Sequence, residues 1–218
     1  MGATAVVATI WDQLGLGGFF TGRGGVGFDL AGAVFAMVLN WLTDPSSKRR
    51  VIDWLEDDQA LPEGFGRPEL WHLYRALDHL AAAKDELEVH LWSQLTDLAN
   101  MDLGLVCYDL TSTYFERAVV PSKVFASKAF GYSRDKRSDG AQIVIGLLCV
   151  GDGMPIAHRV WAGNTSDVAT LPTVLEDLRG RFPVGRICVV ADRGLISAAN
   201  LDAVQGAGFA HIIATRLH

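Results

Sequence analysis

The spacing of apolar residues changes near residue 104. Before that point apolar residues recur three and four positions apart, as at Leu70, Leu73 and Leu77, which predicts amphipathic helices. After it the apolar residues form short runs that are rich in Val and Ile and are bounded by turn residues, which predicts strands. The sequence therefore predicts a helical N-terminal region over residues 1–103 and an α/β domain over residues 104–218.

The second part is predicted to begin with a meander and to continue with alternating helices and strands. The predicted strands are 105–110, 142–150, 154–161, 186–191 and 210–214, and the predicted helices are 167–181 and 197–207. A Gly-Asp-Gly turn at 151–153 joins the second strand to the third as a hairpin. Three meandering strands followed by α/β units predict a mixed sheet with helices packed on its faces.

The most apolar run, Leu30–Leu42, is too short to cross a bilayer, which takes roughly 20 residues. It is also interrupted by Asn40, so it is predicted to be a buried core helix. The N-terminus has no basic stretch before an apolar one, which argues against a secretory signal. These features predict a cytoplasmic protein without a membrane partner.

The three cysteines, Cys107, Cys149 and Cys188, are far apart in the sequence and form no CxxC pair. That spacing supports neither a disulfide framework nor a zinc ribbon. We predict reduced cysteines that are buried as small apolar side chains.

The charge balance limits any role with nucleic acid to a local patch. The formal net charge of −6 has the wrong sign for nonspecific coating of DNA. Residues 116–137, however, carry six basic side chains against two acidic ones, with Phe125, Phe130 and Tyr132 as stacking surfaces. A solvated loop is the alternative interpretation. The candidate DNA-binding residues are Lys123, Lys128, Arg134, Lys136, Arg137 and, after the fourth strand, Arg193.

Two aspartates follow apolar strand residues. Asp109 is predicted at the end of the first strand, and Asp192 comes just past the fourth. A carboxylate is costly to bury without a partner, a backbone donor or a metal. If the two strands are neighbours, both carboxylates leave the sheet at one edge and can share Mg²⁺ or Mn²⁺ for phosphoryl transfer. Alternatively, each aspartate only caps a turn or the following helix.

Four motifs in order resemble the catalytic region of DDE-type insertion-sequence transposases. They are YDLTSTYFE (108–116), GYSRDKRSDGAQIVIGLL (131–148), GNTSD (163–167) and VVADRGLIS (189–197). Residues 44–48 (DPSSK) and 71–80 (WHLYRALDHL) are similar to the N-terminal part of that family. The resemblance implies an RNase H-like fold and metal-dependent DNA cleavage and strand transfer at insertion-sequence ends. It also implies a triad of two Asp and one Glu, with Asp109 as the first acid and Asp192 as the second, both as metal ligands.

The sequence departs from that family at the third acid. The family's Glu lies well downstream of the second Asp, and no matching Glu follows Asp192 in this sequence. We therefore expect a transposase core that is incomplete at its C-terminus and weakly active or inactive, so that enzymatic activity stays open. The alternative is a catalytically dead DNA- or partner-binding remnant that interferes with an intact transposase. The implied partners are transposon-end DNA and either a second copy or a full-length transposase in a mixed assembly.

Overall fold

The computed structural model describes residues 2–23, 27–57, 61–99, 105–115, 141–150, 153–182, 188–191, 195 and 197–213. The chain divides into two compact units, Met1–Ala99 and Asn100–His218. In the described ranges the first unit is helical, and the second is a five-stranded sheet with helices. No helix in those ranges has the length and apolar character that a membrane span requires.

The first unit is built around one buried helix, α3 (Leu30–Thr43). Its other helices are α1 (Gly2–Gln13), α2 (Leu16–Thr21), α4 (Lys48–Asp57), α5 (Leu70–Ala82) and α6 (Lys84–Ala99). Almost every residue of α3 up to Asn40 is buried, and the rings of Phe35 and Trp11 pack nearly perpendicular to each other with 5.3 Å between their centroids. The prediction that this apolar run is a core helix is confirmed.

Asp29 fixes the start of α3. Its Oδ1 accepts a hydrogen bond from the Gly32 backbone N–H at 2.9 Å, and its Oδ2 accepts one from Gly66 N–H at 2.7 Å. The approach is so close that a Cβ at position 32 would lie 2.3 Å from Oδ2. One carboxylate thus caps the core helix and ties a distant loop to it.

The second unit is the predicted mixed sheet. Its strands are β1 (Leu105–Tyr114), β2 (Gln142–Val150), β3 (Met154–Ala162), β4 (Cys188–Ala191) and β5 (Ala210–Ile213), and its helices are α7 (Asp167–Arg181) and α8 (Ala198–Gly206). The strand order is β3-β2-β1-β4-β5. Strands β1 to β3 form an antiparallel meander, whereas β4 is parallel to β1 and β5 is parallel to β4. This order and these directions confirm the RNase H-like fold class.

Strand β1 is longer than predicted, which corrects the position of Asp109. The prediction ended the strand at Leu110, but the ladder with β2 continues to the pair Tyr114–Gln142. The added segment, Thr111–Tyr114, consists mainly of residues that favour a pleated and half-buried surface. Asp109 therefore lies in the middle of a strand and not at its end.

The alternation of side chains gives β1 two different faces. Val106, Tyr108 and Leu110 are buried, and the Tyr108 hydroxyl donates a hydrogen bond to Thr170 of α7. Helix α8 joins α7 through the Asn200 side chain, which donates to the Val168 carbonyl at 2.9 Å. Residues at the odd-numbered positions of β1 lie on the opposite face of the sheet.

The opposite face is open in the described part of the unit. Leu147, Val160 and Ile212, which share this face by register, are 42%, 48% and 61% exposed. The described helices of the unit pack on the Tyr108 face, so they do not cover these side chains. Asp109 is among the exposed residues of the open face.

Gly146 allows two aromatic rings to lie close to the backbone of β2. A Cβ at this position would lie 2.6 Å from the ring of Trp161 and 2.9 Å from the ring of Tyr108. Contacts that short require the rings or the strand to shift. Gly146 is therefore needed for close packing on the helix-covered face.

We predict that Gly146→Ala lowers the free energy of unfolding by about 1–3 kcal/mol, because the added methyl group would clash with the rings of Trp161 and Tyr108. Gly180→Ala is the matched control. Gly180 lies inside α7 with nothing within 4 Å of a new Cβ, so this change should stabilise the helix by up to about 1 kcal/mol. Urea unfolding followed by circular dichroism measures both changes, and equal stability of the two variants would contradict the packing role.

We predict that Asp29→Ala lowers the free energy of unfolding by about 0.5–2 kcal/mol, because the start of α3 loses its cap and Gly66 N–H loses its acceptor. Asp53→Ala removes the same charge from an exposed position on α4 and should have little effect. The midpoints of thermal unfolding of the two variants test this difference. A smaller loss for Asp29→Ala than for Asp53→Ala would show that the cap does not stabilise the helix.

Candidate functional site

Asp109 stands on the open face of the sheet at the centre of β1. It lies directly opposite Leu147 of β2, and its Oδ1 accepts a hydrogen bond from the Leu110 backbone N–H at 2.8 Å. Cys107 and Thr111 are its neighbours along the strand on the same face. The strand holds the Asp109 backbone, while the carboxylate is exposed to solvent or to a ligand.

Strand β4 runs beside β1 in the same direction. Their described pairs are Leu105–Cys188, Val106–Val189 and Cys107–Val190. The condition stated for the two aspartates, that the first and fourth strands are neighbours, is thus met.

Most of the predicted site residues lie outside the described residues. This applies to the second acid, Asp192, which directly follows the last residue of β4, and to every predicted DNA-binding residue: Lys123, Lys128, Arg134, Lys136, Arg137 and Arg193. Asp109 is the predicted site residue that the described ranges contain. Within those ranges, no three His, Cys, Asp or Glu side chains are grouped so that they could hold a metal ion.

A buried chain of hydrogen bonds lies behind Asp109 on the other face. The Tyr108 hydroxyl donates to Thr170 Oγ1 at 2.8 Å, and that oxygen donates to the Asp167 carbonyl at 2.7 Å. Burial raises the pKa of Tyr108 well above its ordinary value; the hydrogen bond with Thr170 opposes this shift, and the charges of Asp167 and Asp109 add to it. Tyr108 is therefore a neutral donor that joins β1 to the first turn of α7.

The charge of Asp109 also acts on the open face. Burial raises the pKa of the Cys149 thiol, and the neighbouring Cys107 and Asp109 raise it further. Cys149 is the residue of β2 that pairs with Cys107. Asp109 and Cys107 therefore both disfavour the thiolate form of Cys149.

A cavity of about 390 Å³ opens at the N-terminus of α7. It is lined by Leu110, Thr111, Ser112, Val144, Gly163, Asn164, Thr165, Ser166 and Asp167. Ser166 is the N-cap residue of α7, but its side chain makes no capping hydrogen bond. The lining combines an apolar floor from the sheet with hydroxyl, amide and carboxylate groups.

Three of the four sequence motifs contribute to this cavity. Residues 110–112 belong to the first motif, Val144 to the second, and 163–167 to the third. Motifs that begin at residues 108, 131 and 163 thus line one cavity, on the face of the sheet opposite Asp109. The sequence signal for this grouping was the motifs themselves, whereas Thr170 belongs to none of them and was missed.

Comparison with known proteins gives no family assignment. No family model matches the chain, and no curated protein matches it. Among solved structures, the chain is similar to the Mos1 transposase paired-end complex with left transposon end and to the Mos1 mariner paired end complex with Mn, each at 12% identity and a TM-score of 0.35. A pre-cleavage Mos1 transpososome gives 11% identity and a TM-score of 0.33. Each match covers 82% of this chain, which spans 57–58% of the length of those chains.

We predict that Tyr108→Phe lowers the free energy of unfolding by about 0.5–1.5 kcal/mol, because it removes the buried hydrogen bond to Thr170 and keeps the ring. Tyr74→Phe is the matched control, since Tyr74 is 54% exposed on α5. Chemical unfolding of the two variants measures the difference. Equal stability would show that the link between β1 and α7 does not depend on this hydroxyl.

Proposed function

We propose that this chain carries a metal-dependent site for DNA phosphoryl transfer of the DDE transposase kind, with Asp109 and Asp192 as its metal ligands. In this proposal residues 104–218 are the catalytic core and residues 1–103 are a helical region that precedes it. The support comes from the four ordered motifs and from the parallel pairing of β1 with β4.

The register between β1 and β4 is the observation that carries the proposal. Cys107 pairs with Val190. In the sequence, Asp109 follows Cys107 by two residues, and Asp192 follows Val190 by two residues. We propose that this equal spacing brings both acids to one metal site, since neighbouring strands lie only about 4.8 Å apart.

The donor set suits a hard cation. Mg²⁺ and Mn²⁺ prefer oxygen ligands, and Mg²⁺ commonly uses one or two carboxylates together with water and substrate phosphate oxygens. Asp109 has an exposed carboxylate in which Oδ1 already accepts one backbone hydrogen bond. That bond orients the carboxylate, and Oδ2 is the oxygen that we assign to the cation.

A divalent ion held by two such carboxylates supplies activation of the attacking oxygen and stabilisation of the leaving oxygen at a phosphodiester. The chain contributes the placement of Asp109. Its strand pairs with β2 through this position and with β4 at residues 105–107, and Tyr108 anchors it to α7. Rigid placement of this kind is what an enzyme needs at a reacting phosphate.

DNA is the proposed partner, and transposon ends are the proposed target. Positive charge for its phosphates is assigned to Lys123, Lys128, Arg134, Lys136, Arg137 and Arg193. Arg159, a basic residue on β3, is less suited to this role because its guanidinium group pairs with Asp177 of α7.

We predict that Asp109→Asn and Asp192→Asn each weaken Mn²⁺ binding by at least about tenfold, since each removes one of two anionic ligands. Each should also abolish Mn²⁺-dependent nicking of supercoiled plasmid DNA. Binding is measured by the electron paramagnetic resonance signal of free Mn²⁺, and nicking by gel electrophoresis with and without EDTA.

The matched control is Asp202→Asn, because Asp202 is an exposed carboxylate on α8 and its change alters the net charge equally. It should leave Mn²⁺ binding and nicking unchanged. Full nicking by Asp192→Asn would sink the assignment of the second acid. Retarded migration of DNA without any nicking by the unmodified chain would instead favour a DNA-binding module without catalysis.

A further inference from the structure

The three cysteines lie together on the open face of the sheet, which corrects the prediction that they are buried. Each is partly exposed, and each is a free thiol. Cys107 of β1 pairs directly with Cys149 of β2, and Cys188 of β4 pairs with Leu105. Cross-strand partners share a face of the sheet, so all three thiols project on the side that carries Asp109.

The pairing of Cys107 with Cys149 has the spacing of a disulfide. Directly opposed residues in an antiparallel pair have Cα atoms about 4.5 or 5.5 Å apart, depending on the type of pair. Both values lie within the Cα separation of about 4.4–6.8 Å that is found in disulfides. The Cα separation of such a pair is therefore compatible with a bridge between these two residues.

Cys188 is close but does not have this spacing. Its register partner, Leu105, is two residues from Cys107 along β1. With strands about 4.8 Å apart and a rise of about 3.3 Å per residue, the Cα atoms of Cys188 and Cys107 are separated by about 8 Å. That exceeds the limit of about 7 Å beyond which a bridge needs backbone movement.

The pairing of β2 with β3 is irregular near Cys149. The register between β2 and β3 shifts between Leu148 and Cys149, so that Cys149 pairs with Pro155, which has no backbone N–H. The extra residue, Ile156, lies on β3, so the irregularity leaves the pairing of Cys149 with Cys107 of β1 in place.

We propose that Cys107 and Cys149 form an oxidisable dithiol, a modification site at which a low-molecular-weight disulfide closes an intramolecular bridge between β1 and β2. The bridge would join the two strands two residues from Asp109. The dithiol depends only on the β1–β2 register and on exposure, so it does not require a metal at Asp109.

The reaction is an ordinary thiol–disulfide exchange in two steps. One cysteine, as thiolate, attacks a sulfur of oxidised glutathione; a protein–glutathione bond forms and one glutathione leaves as thiolate, which takes up a proton. The second cysteine then attacks the protein sulfur and displaces the second glutathione. Two protein thiols are oxidised to one disulfide, and one oxidised glutathione is reduced to two thiols.

The test is to oxidise the full chain with oxidised glutathione, block the remaining thiols with iodoacetamide, digest with trypsin and map the peptides by mass spectrometry. Trypsin separates the three cysteines into the peptides 85–117, 138–159 and 187–193. We expect a linked pair of the first two peptides and an alkylated third peptide. Treatment with dithiothreitol should return the first two as separate peptides.

Cys149→Ser should abolish the bridge, and Cys188→Ser should leave its yield and rate unchanged. We expect the rate of bridge formation in the unmodified chain to be at least about tenfold higher than the rate at which Cys149→Ser forms any bridge. The reason is that the Cys107–Cys188 spacing is unfavourable. Circular dichroism of each variant confirms that it is folded. Glutathione retained on single cysteines, a bridge that includes Cys188, or bridges only between molecules on a non-reducing gel would each overturn the proposal.

Discussion

Strand β1 pairs with β2 from Val106 to Tyr114 and with β4 at residues 105–107, and this double pairing is the constraint on which the second unit depends. Its antiparallel register with β2 and its parallel register with β4 together decide which side chains face α7. A slip of one residue would exchange Tyr108 with Asp109 and would place a carboxylate in the core. The buried bond from Tyr108 to Thr170 and the close packing over Gly146 both oppose such a slip.

The two faces of this sheet have different chemistry as a result. The covered face carries the cavity at the start of α7, where hydroxyl, amide and carboxylate groups surround an apolar floor. The open face carries Asp109 together with the opposed thiols of Cys107 and Cys149. A hard oxygen ligand and two soft sulfur atoms are thus neighbours on one surface. The proposed metal site uses the oxygen, and the proposed dithiol uses the sulfur atoms, so each can be tested without the other.

Some basic residues of the second unit form ion pairs within the unit, and others are proposed to bind DNA. Arg159 of β3 pairs with Asp177 of α7, and Arg181 lies 3.8 Å from the same carboxylate within α7, so only the first pair connects the strand with the helix. The negative formal charge of the chain does not attract DNA by itself. In the proposed function, attraction for DNA therefore depends on the basic segment 116–137 and on Arg193.

The sequence by itself determined the element types, their order and the core helix, because periodicity and turn residues are local signals. The strand at 142–150 and the helix at 167–181 were predicted with the bounds that the structure has. The tertiary structure alone decided that β1 extends to Tyr114, since those residues are held by pairing with β2. It also decided that Cys107 lies opposite Cys149 and that Thr170 meets Tyr108. Register joins residues that are far apart in the chain, and no local pattern encodes which of them will meet.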